Sequence, residues 1–259
     1  MKLLQKGSRG AAVKKWQYFL IGQGLYRGSA NGIFNWATHD ATVLFQKKYH
    51  LVPDGIVGNR TVGAALLQGF GLVADVRNDS SGADFPPKPD FPPLVSNRER
   101  EALFGKITYT AIPLPDNPEH LAITNHWDRD NIIKVTIPQL KALKGSATVY
   151  FHKKGAAQLQ QLWHDWEKAG LLHLVLTWDG AYTPRFVRGS KTVLSNHAFG
   201  MAFDINYAWN KLGTVPALVG QRGSVRLLVA LAHKNGFYWG GHFTRKDGMH
   251  FELAKIVKL

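Results

Sequence analysis

A run of proline divides this chain before any other feature is read. Asp84-Phe85-Pro86-Pro87-Lys88-Pro89-Asp90-Phe91-Pro92-Pro93 holds five of the twelve prolines in 259 residues. Proline fixes φ and has no amide hydrogen, so the run can enter neither a helix interior nor a central strand. It reads as an extended, semi-rigid spacer, with a Pro-rich recognition motif as the alternative. Each flank must then bury its own core, which predicts a domain over 1–72, a linker over 73–97 and a domain over 98–259. The apolar content of 45%, with eight Trp and fourteen Phe, supplies material for both.

The first flank contains an internal repeat. Asn31-Gly32-Ile33-Phe34-Asn35 with Thr38 recurs 23 residues later as Asp54-Gly55-Ile56-Val57-Gly58 with Thr61. Each copy is a turn that leads into a helix, with Asn35 or Asn59 near the N-cap. Helical spacing follows in Ala37, Ala41, Leu44 and Phe45, and again in Val62, Ala65 and Leu66. An earlier helix from about Gly10 carries Val13, Trp16, Leu20 and Ile21 on one face. Three short amphipathic helices make a small all-α bundle, and no residue set in it looks catalytic.

The second flank mixes strands and helices, an α+β pattern. Ala147-Thr148-Val149-Tyr150-Phe151 and Leu171 to Thr177 read as strands, with a helix between them marked by Leu159, Leu162, Trp163 and Trp166 and stopped near Gly170. Residues 201–208 read as a strand, Ser224 to Asn235 as a helix closed by Gly236, and Met249 to Leu253 as a last strand. Residues 98–145 show no pattern that places them.

Net charge is +14 and unevenly spread: +7 over residues 1–70, −2 over 71–97 and +9 over 98–259. Such a field attracts polyanions, whether nucleic acid, anionic lipid or an anionic cell wall, and cannot choose among them. There is no Cys, so disulfides, thiolate metal sites and a cysteine nucleophile are excluded, and any metal site must use His and carboxylates. No stretch approaches the roughly 18 apolar residues of a membrane span. The N-terminus lacks the apolar run of a signal peptide, so synthesis in the cytoplasm and delivery by another route are expected.

Two segments can carry chemistry: Ser195-Asn196-His197-Ala198-Phe199-Gly200-Met201-Ala202-Phe203-Asp204 and Asp247-Gly248-Met249-His250-Phe251-Glu252. Two His and one Asp can hold zinc with a fourth position free, the usual plan of a catalytic site. Gly200 lets the chain turn between the first His and the Asp. Glu252 shares the strand face of His250, which makes it a partner for that ring or a rival acid.

These strings resemble the VanY-type family of zinc D-Ala-D-Ala carboxypeptidases and L-alanyl-D-glutamate endopeptidases. The family pattern S-x-H-x-x-G-x-A-x-D is met by Ser195, His197, Gly200, Ala202 and Asp204, and its acid three residues before a second His by Asp247 and His250. The resemblance spans roughly 147–254 and includes Trp239-Gly240-Gly241. It implies an α+β domain with a small antiparallel sheet and packed helices around a zinc cleft. It further implies Zn2+ on His197, Asp204 and His250, with Asp247 as general acid–base. The family often has Glu where Asp247 stands. It also carries an Arg before the Ser-x-His motif, for which Arg185 is the choice over Arg188. Ser195, Tyr182 and Trp239 are candidates to contact substrate or a ligand, and His242 has no assigned role.

Residues 3–67 resemble a peptidoglycan-binding domain found at one end of many wall hydrolases, on Gly7-Ser8-Arg9-Gly10, Val13, Trp16-Gln17, Leu20, Asn31-Gly32-Ile33-Phe34, Thr38, Ala41, Phe45-Gln46 and Asp54-Gly55-Ile56-Val57-Gly58. Together the two resemblances imply a monomeric, wall-targeted peptidoglycan peptidase of the endolysin kind, acting at the cell wall or periplasm after release through a membrane lesion. A bacterial carboxypeptidase or autolysin is the alternative within the family. A non-catalytic, basic wall- or polyanion-binding protein is the alternative of another class. No nucleic-acid motif is present and no membrane insertion is expected.

Overall fold

The structure, a computed structural model, describes residues 3–68, 70 and 85–258. Most of the first half of the expected linker lies outside the described residues.

The N-terminal region is helical: α1 (Ala11–Gly22), α2 (Trp36–Lys48) and α3 (Asn59–Leu67). Their inward faces place Val13, Trp16, Phe19, Leu20, Phe45 and Ala65 in one core. The sequence repeat becomes a repeat of buried hydrogen bonds. In the first copy Gln17 accepts from the Gly32 N–H and donates to Ile33 O, Asn31 Oδ1 and Thr38 Oγ1. In the second, Gln46 accepts from the Gly55 N–H and donates to Ile56 O, Asp54 Oδ1 and Thr61 Oγ1. Both turn glycines have positive φ, +75° and +70°. The caps differ between copies: Asn35 accepts from the Thr38 N–H at 3.0 Å, whereas Gly58 occupies the N-cap of α3 and Asn59 is its first helical residue.

The C-terminal domain opens with α4 (Asn97–Phe104), started by a Ser96–Glu99 capping box, then a hairpin of β1 (Tyr109–Ala111) and β2 (Leu121–Ile123). The short α5 (Trp127–Asn131) leads into β3 (Ile132–Thr136), and α6 (Lys141–Lys144) precedes β4 (Thr148–His152), which pairs with β3. The amphipathic α7 (Ala156–Lys168) buries Leu159, Leu162, Trp163 and Trp166 and ends at Gly170, whose φ is +72°.

The main sheet has four antiparallel strands in the order β5 (Trp178–Gly180), β6 (Ala202–Ile205), β8 (His250–Leu253), β7 (Phe237–Trp239), with α8 (Val229–Lys234) leading into β7. Its register sets Asp204 opposite His250, Phe203 opposite Phe251 and Ala202 opposite Glu252. Side chains alternate across a strand. Phe203 and Phe251 therefore stack on one face at 5.4 Å, over Trp166 and Trp178, while Asp204, His250 and Glu252 project from the other. One face is core, and the opposite face is free for chemistry.

Two element readings are corrected. Leu171–Thr177 is not a strand; it contains a 3-10 turn over Leu172–Leu174 and then extended chain. Its backbone is held by a side chain instead of a neighbouring strand. The buried Asn206 accepts from the N–H groups of Leu176 and Thr177 and donates to Leu174 O and Gly223 O. Asn206 itself has φ +57° and ends the strand expected to run to 208. The helix expected over Ser224–Asn235 is a 3-10 turn, Arg226–Leu228, followed by the shorter α8. Residues 85–95, read from sequence as spacer, lie against this domain: the Phe91 ring is 6.3 Å from Tyr238, and the Leu94 N–H donates to Glu252.

Candidate metal centre

The Ser195–Asp204 segment folds as a 3-10 turn, Asn196–Phe199, then Gly200, then β6. Ser195 caps the turn, its Oγ accepting from the His197 N–H at 3.2 Å. Gly200 takes φ +60°, and an added Cβ there would meet Ile132 Cδ1 at 2.6 Å. The turn aims the His197 ring across β6, toward the Asp204–His250 pair.

Three atoms then face one another. His197 Nε2 lies 3.1 Å from His250 Nδ1 and 3.2 Å from Asp204 Oδ1, and His250 Nδ1 lies 3.0 Å from that same oxygen. Ligand atoms at about 2.0–2.1 Å from a tetrahedral zinc would stand about 3.3 Å apart. The remaining ring nitrogens are committed elsewhere: His197 Nδ1 to Ala181 O at 2.6 Å, and His250 Nε2 to Glu252 Oε2 at 3.1 Å. Each ring thus commits its outer nitrogen to a fixed partner and points its other nitrogen inward, as metal-bound His does. These three residues form a group able to hold a metal ion among the described residues.

The three inward atoms favour a positive charge among them, which a proton on His250 supplies. Burial opposes a charged His250, but its hydrogen bonds to Asp204 and Glu252 prevail and push its pKa up to about 10. Burial likewise opposes ionised Asp204, and His197 and His250 overcome it, holding that carboxyl well below the usual range. Asp247 is pushed the other way, to about 6, chiefly by burial. Its Oδ1 is buried with no hydrogen-bond partner.

The loop carrying Asp247 is gripped by Trp239-Gly240-Gly241. The Trp239 indole N–H donates to Gly248 O at 2.8 Å, and an added Cβ at Gly240 would meet Asp247 O at 2.4 Å. Trp239 is 2% exposed and does this from the core; it does not line the cleft. Tyr182 is also outside the cleft lining, its hydroxyl buried without a partner.

Comparison with known proteins divides the chain as its two cores do. Residues 188–253 match the family model for D-alanyl-D-alanine carboxypeptidase, and residues 9–64 match that for a putative peptidoglycan-binding domain. The C-terminal region is thus similar to VanY-like peptidases and the N-terminal region to peptidoglycan-binding domains. A spore cortex-lytic enzyme of Bacillus cereus is 37% identical over 60 residues, which is 23% of this chain and 23% of the relative. The chain thus spans under a quarter of the curated relatives it matches. Among solved structures, the SleB N-terminal domain is 33% identical, covering 26% of this chain and 92% of that one at a TM-score of 0.26. The Burkholderia AP3 phage endolysin is 22% identical, covering 71% and 69% at 0.25.

In the C-terminal domain the two arginines have different partners. Arg188 is tied to Glu119 at 2.5 Å and to Asn117 at 3.0 Å. Both arginines line the cleft of about 1050 Å³ that contains Asp204, Asp247 and His250, but Arg185 makes no ion pair among the described residues and donates to Phe186 O at 3.1 Å. Burial and Arg188 lower its pKa to about 10, while Asp204 and Asp247 oppose that shift. Glu252 lies behind His250, accepting from Leu94 N, Asn196 Nδ2 and the His250 ring. Arg100 extends this chain of contacts, donating to Asn196 Oδ1 at 2.7 Å and to Leu94 O. Sequence reasoning missed Asn196 and Arg100. The one available signal was the Ser96-x-x-Glu99 capping box, which places Arg100 in the first turns of α4. His242 lines the cleft, with its Nε2 buried and unpartnered.

Proposed function

We propose that the protein is a zinc-dependent peptidoglycan peptidase, with a wall-binding domain over 1–72, a linker over 73–97 and a peptidase domain over 98–259. The observation that carries this is the convergence of three inward-facing ligand atoms within 3.0–3.2 Å, beside an acid whose buried oxygen has no partner. One chain supplies the whole set, so a monomer suffices.

His197, Asp204 and His250 would hold the ion through Nε2, Oδ1 and Nδ1. A zinc ion held there supplies Lewis acidity to the scissile carbonyl and to the attacking water. Asp247, whose buried Oδ1 has no partner of its own, takes the proton of that water and delivers it to the departing amine. Arg185 faces the negative charge that develops on the carbonyl oxygen. Glu252 fixes the His250 ring in the tautomer that leaves Nδ1 free, and Asn196 and Arg100 hold Glu252 in turn. Ser195 acts through the backbone, by capping the turn that presents His197.

Incubation with purified peptidoglycan, followed by mass spectrometry of the released fragments, tests the reading and identifies the bond. Loss of terminal D-Ala alone means carboxypeptidase, and release of whole or partial stems means endopeptidase. A chelator-treated protein that releases fragments at the untreated rate rules out the metal-dependent mechanism. A phage-type lysis enzyme is the role proposed, with a bacterial carboxypeptidase or autolysin as the alternative.

A further inference from the structure

The peptidoglycan-binding domain is docked on the peptidase domain. At Gly22, the last residue of α1, an added Cβ would fall 1.5 Å from Leu212 O. At Gly213 it would fall 3.0 Å from Tyr18 O, and at Gly189 it would meet Ile21 Cδ1 at 3.2 Å. Arg245 lays its guanidinium 4.7 Å over the Tyr18 ring and donates to Arg188 O at 2.8 Å. Arg27 donates to Pro115 O and stands 3.8 Å from Asp116.

This docking gives the metal cleft a bank built by the other domain. Gly24, Tyr26 and Arg27 line the cleft that contains Asp204, Asp247 and His250. The same three residues line a second groove, of about 420 Å³, whose far side is Ala41 and Leu44 of α2. The two hollows share one rim, and a ligand lying in the outer groove reaches the metal centre by crossing Tyr26 and Arg27.

We propose that the two hollows form one track for a single peptidoglycan strand, with part of the strand held in the α2 groove while a stem peptide attached to it lies over the metal centre. The inference rests on the function proposed above. It goes beyond that function in making the wall-binding domain half of the substrate site and not a tethered anchor. Two subsites held together by these contacts act on one strand with less entropy cost than a flexible connection would carry, so polymeric wall is favoured over single fragments. An exposed cation at the joint, Arg27, suits a substrate carrying carboxylates.

The test is Gly22→Val, which wedges the docked surfaces apart while leaving both the outer groove and the metal ligands in place. The reading is the ratio of kcat/KM on polymeric peptidoglycan to that on a single disaccharide-peptide fragment. The track predicts that this ratio falls by about tenfold or more. A tethered anchor predicts no change, and an unchanged ratio overturns the proposal. Arg27→Glu, at a side chain 62% exposed, changes the joint without risk to folding and should lower the same ratio. A melting transition for Gly22→Val like that of the parent checks that the helical region is folded. A parent protein that cleaves neither substrate overturns the peptidase reading, and the track with it.

Discussion

The two domains each bury a polar cluster, and the clusters differ in one respect. In the helical domain Gln17 and Gln46 are closed: every donor and acceptor of each amide meets a complementary group. In the C-terminal domain His197, Asp204 and His250 point Nε2, Oδ1 and Nδ1 toward one another, with the outer ring nitrogens committed to Ala181 O and Glu252. A satisfied buried network specifies a fold. A convergence of two ring nitrogens on one buried carboxylate oxygen favours a positive charge at its centre, whether a proton or a metal ion. Polar burial alone does not mark a functional site; the direction in which the polar atoms point does.

The largest expected effect removes one of those inward-pointing groups. His197→Ala, Asp204→Ala and His250→Ala should each reduce bound zinc from about one per chain to none and peptidoglycan cleavage to background. Metal analysis of the purified variants checks this, and a variant that keeps full zinc content removes its residue from the ligand set. Next in size are the two acids near His250. Asp247→Asn should keep zinc and lose about 10²–10⁴-fold in kcat. Glu252→Gln should mainly weaken zinc affinity, by roughly 10–100-fold, with turnover restored by added zinc. If Glu252→Gln is inactive with zinc bound while Asp247→Asn turns over, the two roles are exchanged.

The same contrast explains what the sequence made legible. The turn repeat and the His–Asp–His strings were visible because their members lie close along the chain, where spacing carries geometric meaning. The support behind His250 was not: Arg100 reaches Asn196 across 96 residues and Leu94 reaches Glu252 across 158. No local period reports such pairings. Leu171–Thr177 misled for a related reason. A short apolar run is compatible with a strand, but whether its backbone meets a neighbouring strand or the Asn206 amide is decided by residues about thirty positions away. Residues 98–145 resisted placement because their strands are only three to five residues long, too short for an alternating pattern to show.

The closed clusters should behave as structure alone. Gln46→Ala leaves the Gly55 N–H, the Ile56 carbonyl and the Thr61 hydroxyl without their shared partner, and Gln17→Ala does the same in the first copy. The Ile56 and Ile33 carbonyls keep the Gly58 and Asn35 N–H groups as donors, so the chief loss is one buried glycine N–H left unpaired. Each variant should destabilise the helical domain by roughly 1–3 kcal/mol. Zinc content should not change. Chemical denaturation beside metal analysis makes the comparison, and zinc loss from either variant would mean that the clusters are coupled.

The smallest expected effect concerns a buried histidine that belongs to neither cluster. His152 ends β4 beneath the metal-binding turn, its N–H donating to Gly200 O and its ring 5.4 Å from both Phe104 and Trp127. Its Nδ1 accepts from the Lys154 N–H and its Nε2 has no partner. Burial, helped by the charges of Lys154 and Lys153, lowers its pKa to about 4 from an ordinary 6.5. The folded ring therefore stays neutral where the unfolded one takes up a proton. Its contribution to stability is complete above pH 6.5 and is lost as pH falls toward 4. At pH 5 the loss is on the order of 2 kcal/mol. His152→Phe keeps an aromatic ring against Phe104 and Trp127 but cannot titrate, so its stability should fall less than the parent's between pH 7.5 and 5. Denaturant midpoints of both proteins at the two pH values measure this directly. An equal fall in the two would show that the acid sensitivity of the domain arises elsewhere, with the inward-facing ligands His197 and His250 the next groups to examine.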